Sequence, residues 1–406
     1  MKPAYFHNYP QPIRSWVYQL QGAKGTPLSL RPIMRSTADL AVIDYSRNGA
    51  ERGEFTRSEI TDVRKAGKIV LGYMPIGAAD AGRFYDQNLT DQSPFSTPQA
   101  RSLIGEENPD FPGTFYLRYW QKNWQKTIFG DWSLPKWIKN TNNPNNYLKR
   151  ILAAGFDGVY LDDIDAYQQF NSDGDNSRPV AALEMLLFVR DLSAWAKFKK
   201  PGFLVVPQNG ENLFNDALDN LDTNGNSRLD QGDQFIGIGK GRPFLDLNRN
   251  KKLDRGERSL ASLDINRDGS ISYPEIKAAY FGSIDGLGSE DFFFKGEAEQ
   301  DNPYVDRIAS PDSRIDDFKF TANNYLNYAQ RNLPILNVEY LSNSNVEGIN
   351  QYRHIFSDTF QFANLTIITD HNSPSFTGNK LRDLSLISLQ SPSRDLSDFG
   401  NPISLP

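Results

Sequence analysis

Phe156-Asp157-Gly158-Val159-Tyr160-Leu161-Asp162-Asp163-Ile164-Asp165 decides the fold. A short apolar run, 159–161, opens into three carboxylates within four residues. The glycine before it and the acids after it make it a buried strand with its mouth at Asp162. Ionised groups crowded at a strand end are costly unless they are hydrated, hold a cation or do chemistry. Asp157 is assigned to the turn entering the strand. Asp163 and Asp165 are expected to position Asp162 or to bond the following loop.

Seven further apolar segments share this form, each with a polar residue at or next to its end: 16–20, 40–45, 69–73, 203–209, 284–290, 335–340 and 365–370. Helical periodicity fills several of the gaps, at 57–66, 146–154, 180–198 and 315–331. Strands alternating with helices imply parallel βα units. Eight of them predict an α/β fold, a (β/α)8 TIM barrel, with a doubly wound sheet as the competing topology.

The chain has 406 residues, enough for one such barrel with insertions. Its net charge of −6 and pI near 5.3 argue against nucleic acid as a partner. No apolar run reaches the ~18 residues of a membrane span. No apolar leader follows Met1, so no signal peptide is expected. With no cysteine, thiolate catalysis and Cys-ligated zinc are excluded, and three histidines are little material for a His-rich metal site.

Two stretches break the rhythm. Residues 78–140 carry Trp120, Trp124, Trp132 and Trp137 without a clear period; these rings either stack on sugars or pack the loop. Residues 217–278 hold a threefold Asp/Asn repeat that reads as an EF-hand-like insert, leaving 1–216 and 279–406 as a discontinuous barrel. In the third repeat Asp264, Asn266 and Asp268 take loop positions 1, 3 and 5, Gly269 the turn and Glu275 the bidentate position 12. Ser270 adds its carbonyl and Ser272 acts directly or through water. The second offers Asp246, Asn248, Asn250, Asp254 and Glu257, with Lys252 through its carbonyl and Lys251 in place of the turn glycine. The first offers Asp222, Asn224, Asn226, Asp230 and Asp233, with Arg228 at the carbonyl position and Ser227 at the turn. Alternating hard oxygen donors predict structural calcium, up to three ions; the bland alternative is Asx-type turns. No organic cofactor is expected.

In a barrel the C-terminal strand ends share one face. That face would carry Gln19, Asp44, Tyr73, Asp162, Asn209, Glu290, Glu339 and Asp370. No Ser-His-Asp order or glycine-rich phosphate cradle accompanies them. A carboxylate-rich bowl is what glycoside hydrolysis needs: one carboxyl protonates the leaving oxygen, the other attacks the sugar or activates water.

The ordered set Trp16-x-Tyr18-Gln19-Leu20, Val42-Ile43-Asp44-Tyr45, Gly72-Tyr73-x-x-Ile76-Gly77, Gly155 to Asp165, Gln208-Asn209-Gly210-Glu211, Gly288-x-Glu290-Asp291 and Val338-Glu339-Tyr340 resembles glycoside hydrolase family 114. This is the endo-α-1,4-polygalactosaminidase family. The resemblance covers 14–216 and 279–375. It implies a (β/α)8 barrel cleaving internal α-1,4 bonds of galactosamine- or N-acetylgalactosamine-containing polysaccharide. It also implies Asp162 and Glu290 as the catalytic acids, with Asp162 as nucleophile or base and Glu290 as general acid. Asp44, Tyr73, Asn209 and Glu339 are then expected to line the sugar subsite, with Gln19 and Asp370 at the same face. Departures from the family pattern are Asp163 where Asn is usual, Asp80 where Glu is usual, and the insert. A monomer, secreted or held at the cell surface, is expected.

Two other readings compete. A family 18 chitinase-like enzyme would need an acid at Tyr160 and at Ile164. A calcium-dependent carbohydrate-binding or adhesion protein would keep the scaffold without using the acid pair.

Overall fold

The computed structural model describes residues 5–7, 9–10, 13, 15–22, 26–80, 83–85, 102–109, 111, 113–130, 146–170, 177–290 and 324–340. Only strand backbone is described at 339–340, 366–368 and 384–385.

All eight expected strands form, and all run parallel. β1 (Ser15–Gln19), β2 (Leu40–Asp44), β3 (Ile69–Pro75), β4 (Gly158–Asp162) and β5 (Leu204–Pro207) pair in that order. β6 (Leu287–Glu290), β7 (Ile335–Tyr340) and β8 (Thr366–Ile368) form a second parallel run. A parallel bridge between Gln208 and Gly288 joins the two sheets. A two-residue strand, Leu384–Ser385, lies antiparallel along β1. Every residue of β2 and β3 is buried, as expected of parallel strands covered on both faces, which therefore read as unbroken apolar runs.

The helices are α1 (Leu30–Arg35), α2 (Arg57–Lys65), α3 (Lys122–Ile128), α4 (Tyr147–Ala154), α5 (Ala181–Lys199), α6 (Leu213–Asp219) and α7 (Tyr273–Phe281). Their starts are written in the sequence. Thr56 and Glu59 form a capping box on α2, and the Asn146 side chain accepts from Lys149 N at 2.8 Å on α4. Of the expected helix at 315–331, residues 324–329 are helical and those before 324 lie outside the described residues. Helix α5 is apolar nearly all round because it is covered twice. Leu186, Leu187, Val189 and Leu192 are all buried, and on its flank Arg190 and Asp191 bond Ser262 and Arg258 of the insert.

At the N-terminal strand ends, carboxylates tie neighbouring strands together. Asp157, placed before β4, accepts from Val70 N of β3 at 3.1 Å and pairs with Arg64 and Lys200. Asp285, before β6, repeats the device on Val205 N of β5 at 2.9 Å, with Lys197 as its cation. Both acids lie at the end of the sheet opposite Asp162 and Glu290.

The break at 78–140 contains a three-stranded antiparallel sheet of Ala78–Asp80, Thr114–Leu117 and Ile104–Glu107, followed by α3. Trp124 is fully buried and donates to the Ile76 carbonyl at 2.8 Å, so it packs this segment rather than meeting a ligand. Trp120 lies against Phe170, with the Arg178 guanidinium over its ring. Trp132 and Trp137 lie outside the described residues.

The insert shares its core with the rest of the chain: Leu221, Leu229, Ile236, Leu263, Ile271 and Ile276 belong to the same buried cluster as the sheet. The boundaries expected at 216/217 and 278/279 fall inside α6 and α7. These two helices belong to both parts, entering the insert from β5 and leaving it toward β6.

Candidate active site

Strand alternation decides which residues face inward. Trp16 and Tyr18 of β1, Tyr73 of β3 and Tyr160 of β4 meet ring to ring, with Tyr18 lying 5.6 Å from Tyr160 and 6.3 Å from Tyr73. Asp162 follows Tyr160 on the same face, and Glu290 lies on that face of β6. The two acids therefore stand above an aromatic floor. The burial-raised pKa values of Tyr18 and Tyr160 are pushed further by the charges of both acids.

Asp162 is held from two sides. The Tyr73 hydroxyl donates to its Oδ2, and the backbone N–H of Asp163 donates to its Oδ1 at 2.8 Å. That second bond needs Asp163 in the left-handed region, at φ 57°, which Asp and Asn tolerate better than other side chains. Gly77 makes room for this turn, because a Cβ there would lie 1.9 Å from the Asp163 carbonyl oxygen. Glu290 is bracketed by Asn209, whose Nδ2 donates to Oε2 at 3.0 Å and whose Oδ1 accepts from Glu290 N at 3.2 Å. Asn209 is also left-handed, at φ 55°.

Burial, joined by the negative charge of Glu290, raises the Asp162 carboxyl to about 7, against the pull of its two donors. Burial also raises Asp163, with Asp162 and Asp80 adding to it. Asp165 is raised to about 7 by burial and then by Asp162, Glu211 and Glu290. Burial raises Glu211 as well. These groups share one poorly solvated mouth and cannot all ionise freely, so the site favours a cationic or proton-donating ligand.

Two expected site residues are placed otherwise. Asp44 sits at the end of β2 but is buried and engaged: Arg83 Nη1 lies 3.1 Å from Oδ2, and Ser46 N donates to Oδ1 at 3.0 Å. The same guanidinium reaches Asp80 at 2.6 Å and the Tyr147 hydroxyl at 2.8 Å. Gln19 follows inward-facing Tyr18 and so turns to the other face of β1. Its Nε2 donates back to the Gln21 carbonyl at 3.4 Å. Glu339 is described as strand backbone alone, paired with Ile367, and Asp370 lies outside the described residues. The residues that sequence reasoning missed are Arg83, Tyr18 and Tyr160. The alternation of Trp16 with Tyr18 was a usable signal; Arg83 offered none.

The three insert loops share one hydrogen-bond pattern. Asp222, Asp246 and Asp264 each accept from the backbone N–H groups four and five residues on, at 2.7–3.1 Å. Asp233, Glu257 and Glu275 reach back to the second and third N–H groups of their loops. The turn position is left-handed in all three, at Ser227, Lys251 and Gly269. Lys251 fills the glycine position and its ammonium caps the carbonyls of Asp233 and Ile236 at 3.2 and 2.9 Å. Leu229 pairs with Ile271, so the first and third loops lie side by side. Among the described residues no three acidic or histidine side chains converge on a common metal position. The Asn224, Asn226, Asn248 and Asn250 amides bond Asp230 and Asp254, and Asp268 pairs with Arg228.

A model of glycoside-hydrolase family GH114 matches residues 2–248, more than half of the chain; the match includes Asp162 and Asn209 and ends before Glu290. An uncharacterized protein of Thermotoga maritima is 34% identical over 203 residues, 50% of this chain and 54% of its own. An uncharacterized protein of Methanocaldococcus jannaschii is 34% identical over 200 residues, 49% of this chain and 50% of its own. The chain thus spans about half the length of the curated relatives it matches. Similar solved structures include Aspergillus fumigatus Ega3 in complex with galactosamine, at 14% identity and a TM-score of 0.44 over 84% of this chain and 89% of that one. The glycoside hydrolase domain of PelA from Pseudomonas aeruginosa gives 10% identity and a TM-score of 0.47 over 85% and 90%.

Proposed function

Because the chain belongs to glycoside-hydrolase family GH114, we propose that it hydrolyses internal α-1,4 bonds of galactosamine-containing polysaccharide with Asp162 and Glu290 as its two working carboxyls. The observation that carries this reading is the pair itself: two acids on one face at the strand mouths, each held by its own donors and each felt by the other. In this reading the two parallel runs, joined at Gln208–Gly288, close into a (β/α)8 barrel, which brings both acids to one rim.

Near neutrality the mutual repulsion leaves one proton on the pair. That proton is shared by the pair, whose joint titration lies near 7; in the reacting form it sits on Glu290, and Asp162, which accepts donors on both oxygens, is the anion. As the glycosidic C–O bond breaks, Glu290 gives its proton to the leaving oxygen. Asp162 attacks the anomeric carbon or takes a proton from the water that does, and the site is restored when a water hydroxyl has joined the sugar. Asp163, Asp165 and Glu211 crowd this centre with carboxyls that burial keeps from ionising freely and that a bound ammonium would help to ionise, favouring an unacetylated amino sugar. Release of oligosaccharides from α-1,4-galactosamine polymers of graded acetylation tests the reading. Cleavage is expected to rise with deacetylation; release that rises with acetylation would reverse the assigned preference.

The insert loops are proposed to bind calcium as structural ions. The residues present fit: each loop brings oxygens at alternate positions and a left-handed turn, and the third has a Glu at its twelfth position. To do so, the Asn amides and Asp268 must turn their oxygens from their present partners toward the ion. Calcium would supply charge neutralisation to the acids of each loop and has no step in the hydrolysis.

A further inference from the structure

The insert does more than sit beside the sheet. Its exit helix, α7, carries Tyr280, which is fully buried and donates to the Gly210 carbonyl at 2.9 Å. Tyr328, from the helical residues 324–329, donates to the same oxygen at 3.0 Å, and its hydroxyl oxygen lies 3.3 Å from that of Tyr280. One backbone carbonyl thus receives two phenols from two separate parts of the chain.

Gly210 follows Asn209, the residue that brackets Glu290. Glycine is the residue whose backbone is least restrained by its own sterics, so a fixed conformation at 210 must be imposed from outside. The space is also closed to a side chain: a Cβ on Gly210 would lie 2.9 Å from both Ile164 Cγ2 and the Tyr280 hydroxyl oxygen. Ile164 belongs to the turn that follows Asp162 and Asp163. Gly210 is therefore the seam where the segment behind Asp162 meets the segment behind Glu290.

We infer that Tyr280 and Tyr328 are positioning residues for the hydrolysis: by fixing the Gly210 carbonyl they hold the left-handed Asn209, and through it the carboxyl of Glu290. The insert is thereby coupled to this brace, since the helix that carries Tyr280 starts at the third loop, with Ser272 capping it and Glu275 in its first turn. This inference rests on the two-carboxylate reading above.

Tyr280→Phe, Tyr328→Phe and the double variant keep the rings, and with them the packing on Phe214 and Phe281, and remove only the hydroxyls. Initial rates on a galactosamine polymer across about pH 4 to 9 give kcat, KM and the pH profile. Amide hydrogen exchange is followed at 208–213 and, as reference, at 157–162. The double variant is expected to lose kcat by about 10- to 100-fold, the scale of a displaced reacting group. KM should change much less than kcat, since the two phenols are buried and meet no sugar themselves. The alkaline limb should move, and faster exchange should be confined to 208–213. Wild-type kcat and exchange in the double variant would overturn the inference. So would a rate loss that comes with faster exchange in both segments and an unmoved pH profile. If the wild type cleaves none of the polymers, the parent reading fails by itself. The exchange comparison needs no substrate and still decides the brace.

Discussion

Replacing Asp162 by asparagine should make the protein more stable relative to the wild type at pH 8 than at pH 5, while removing its activity. Burial and the charge of Glu290 raise the Asp162 carboxyl to about 7 in the fold, against an ordinary value of 3.8, and this step belongs to the pair, so removing Asp162 removes it. Its folded pKa is raised, so its stabilising contribution is full below about 3.8 and is lost as pH rises through about 7. At ~1.4 kcal/mol per pH unit, a rise of about three gives ~4 kcal/mol in all, of which ~2.6 kcal/mol falls between pH 5 and pH 8. Asp162 is half-buried, and water at the mouth screens it, so about 1 kcal/mol is the working expectation. The amide of the Asp162→Asn variant does not ionise. Its altered bonds to Tyr73 and to the Asp163 N–H weigh equally at both pH values and cancel in the comparison. Urea unfolding of both proteins at the two pH values measures the difference directly. A variant whose relative stability is the same at both, or lower at pH 8, would refute the claim that burial and Glu290 burden this carboxylate.

The same pair predicts a rate profile: kcat/KM should fall above about pH 7 as the last shared proton leaves, and a flat alkaline limb to pH 9 would contradict it. Arg83→Met should destabilise the fold by about 3–5 kcal/mol by stranding Asp44 and Asp80, with part recovered in the Arg83→Met/Asp44→Asn double variant. Thermal melts read both. Calcium at about 100 times its Kd should add ~2.7 kcal/mol to stability for one site, lost on chelation and weakened in Asp264→Asn. An unchanged melting temperature with chelator would remove the ion from the account.

Much of the scaffold was legible because parallel strands are covered on both faces, so 40–45 and 69–73 announce themselves as continuous apolar runs. Asp162 was legible from its place after such a run. Asp44 looked equivalent by that rule, yet it is tied to Arg83, 39 residues further on in a segment without periodicity, and only the fold brings the two together. Gln19 differs for another reason. Trp16 and Tyr18 alternate onto the inward face, and this turns Gln19 away from the acids. The threefold Asp/Asn repeat of 217–278 is visible in the sequence, and the expected limits follow the repeat. Chain continuity instead carries α6 and α7 across those limits, and this is how Tyr280 comes to lie under the loop of Asn209.

If Asp162 and Glu290 together break a glycosidic bond, product release will show it. Wild type, Asp162→Asn and Glu290→Gln are incubated with α-1,4-linked galactosamine polymer, and new reducing ends are counted while folding is checked by melting. Oligosaccharides should appear with the wild type, and each variant should fall by about 10²- to 10⁴-fold while remaining folded. A folded variant that retains wild-type release, or a wild type that binds the polymer without cutting it, would contradict the account.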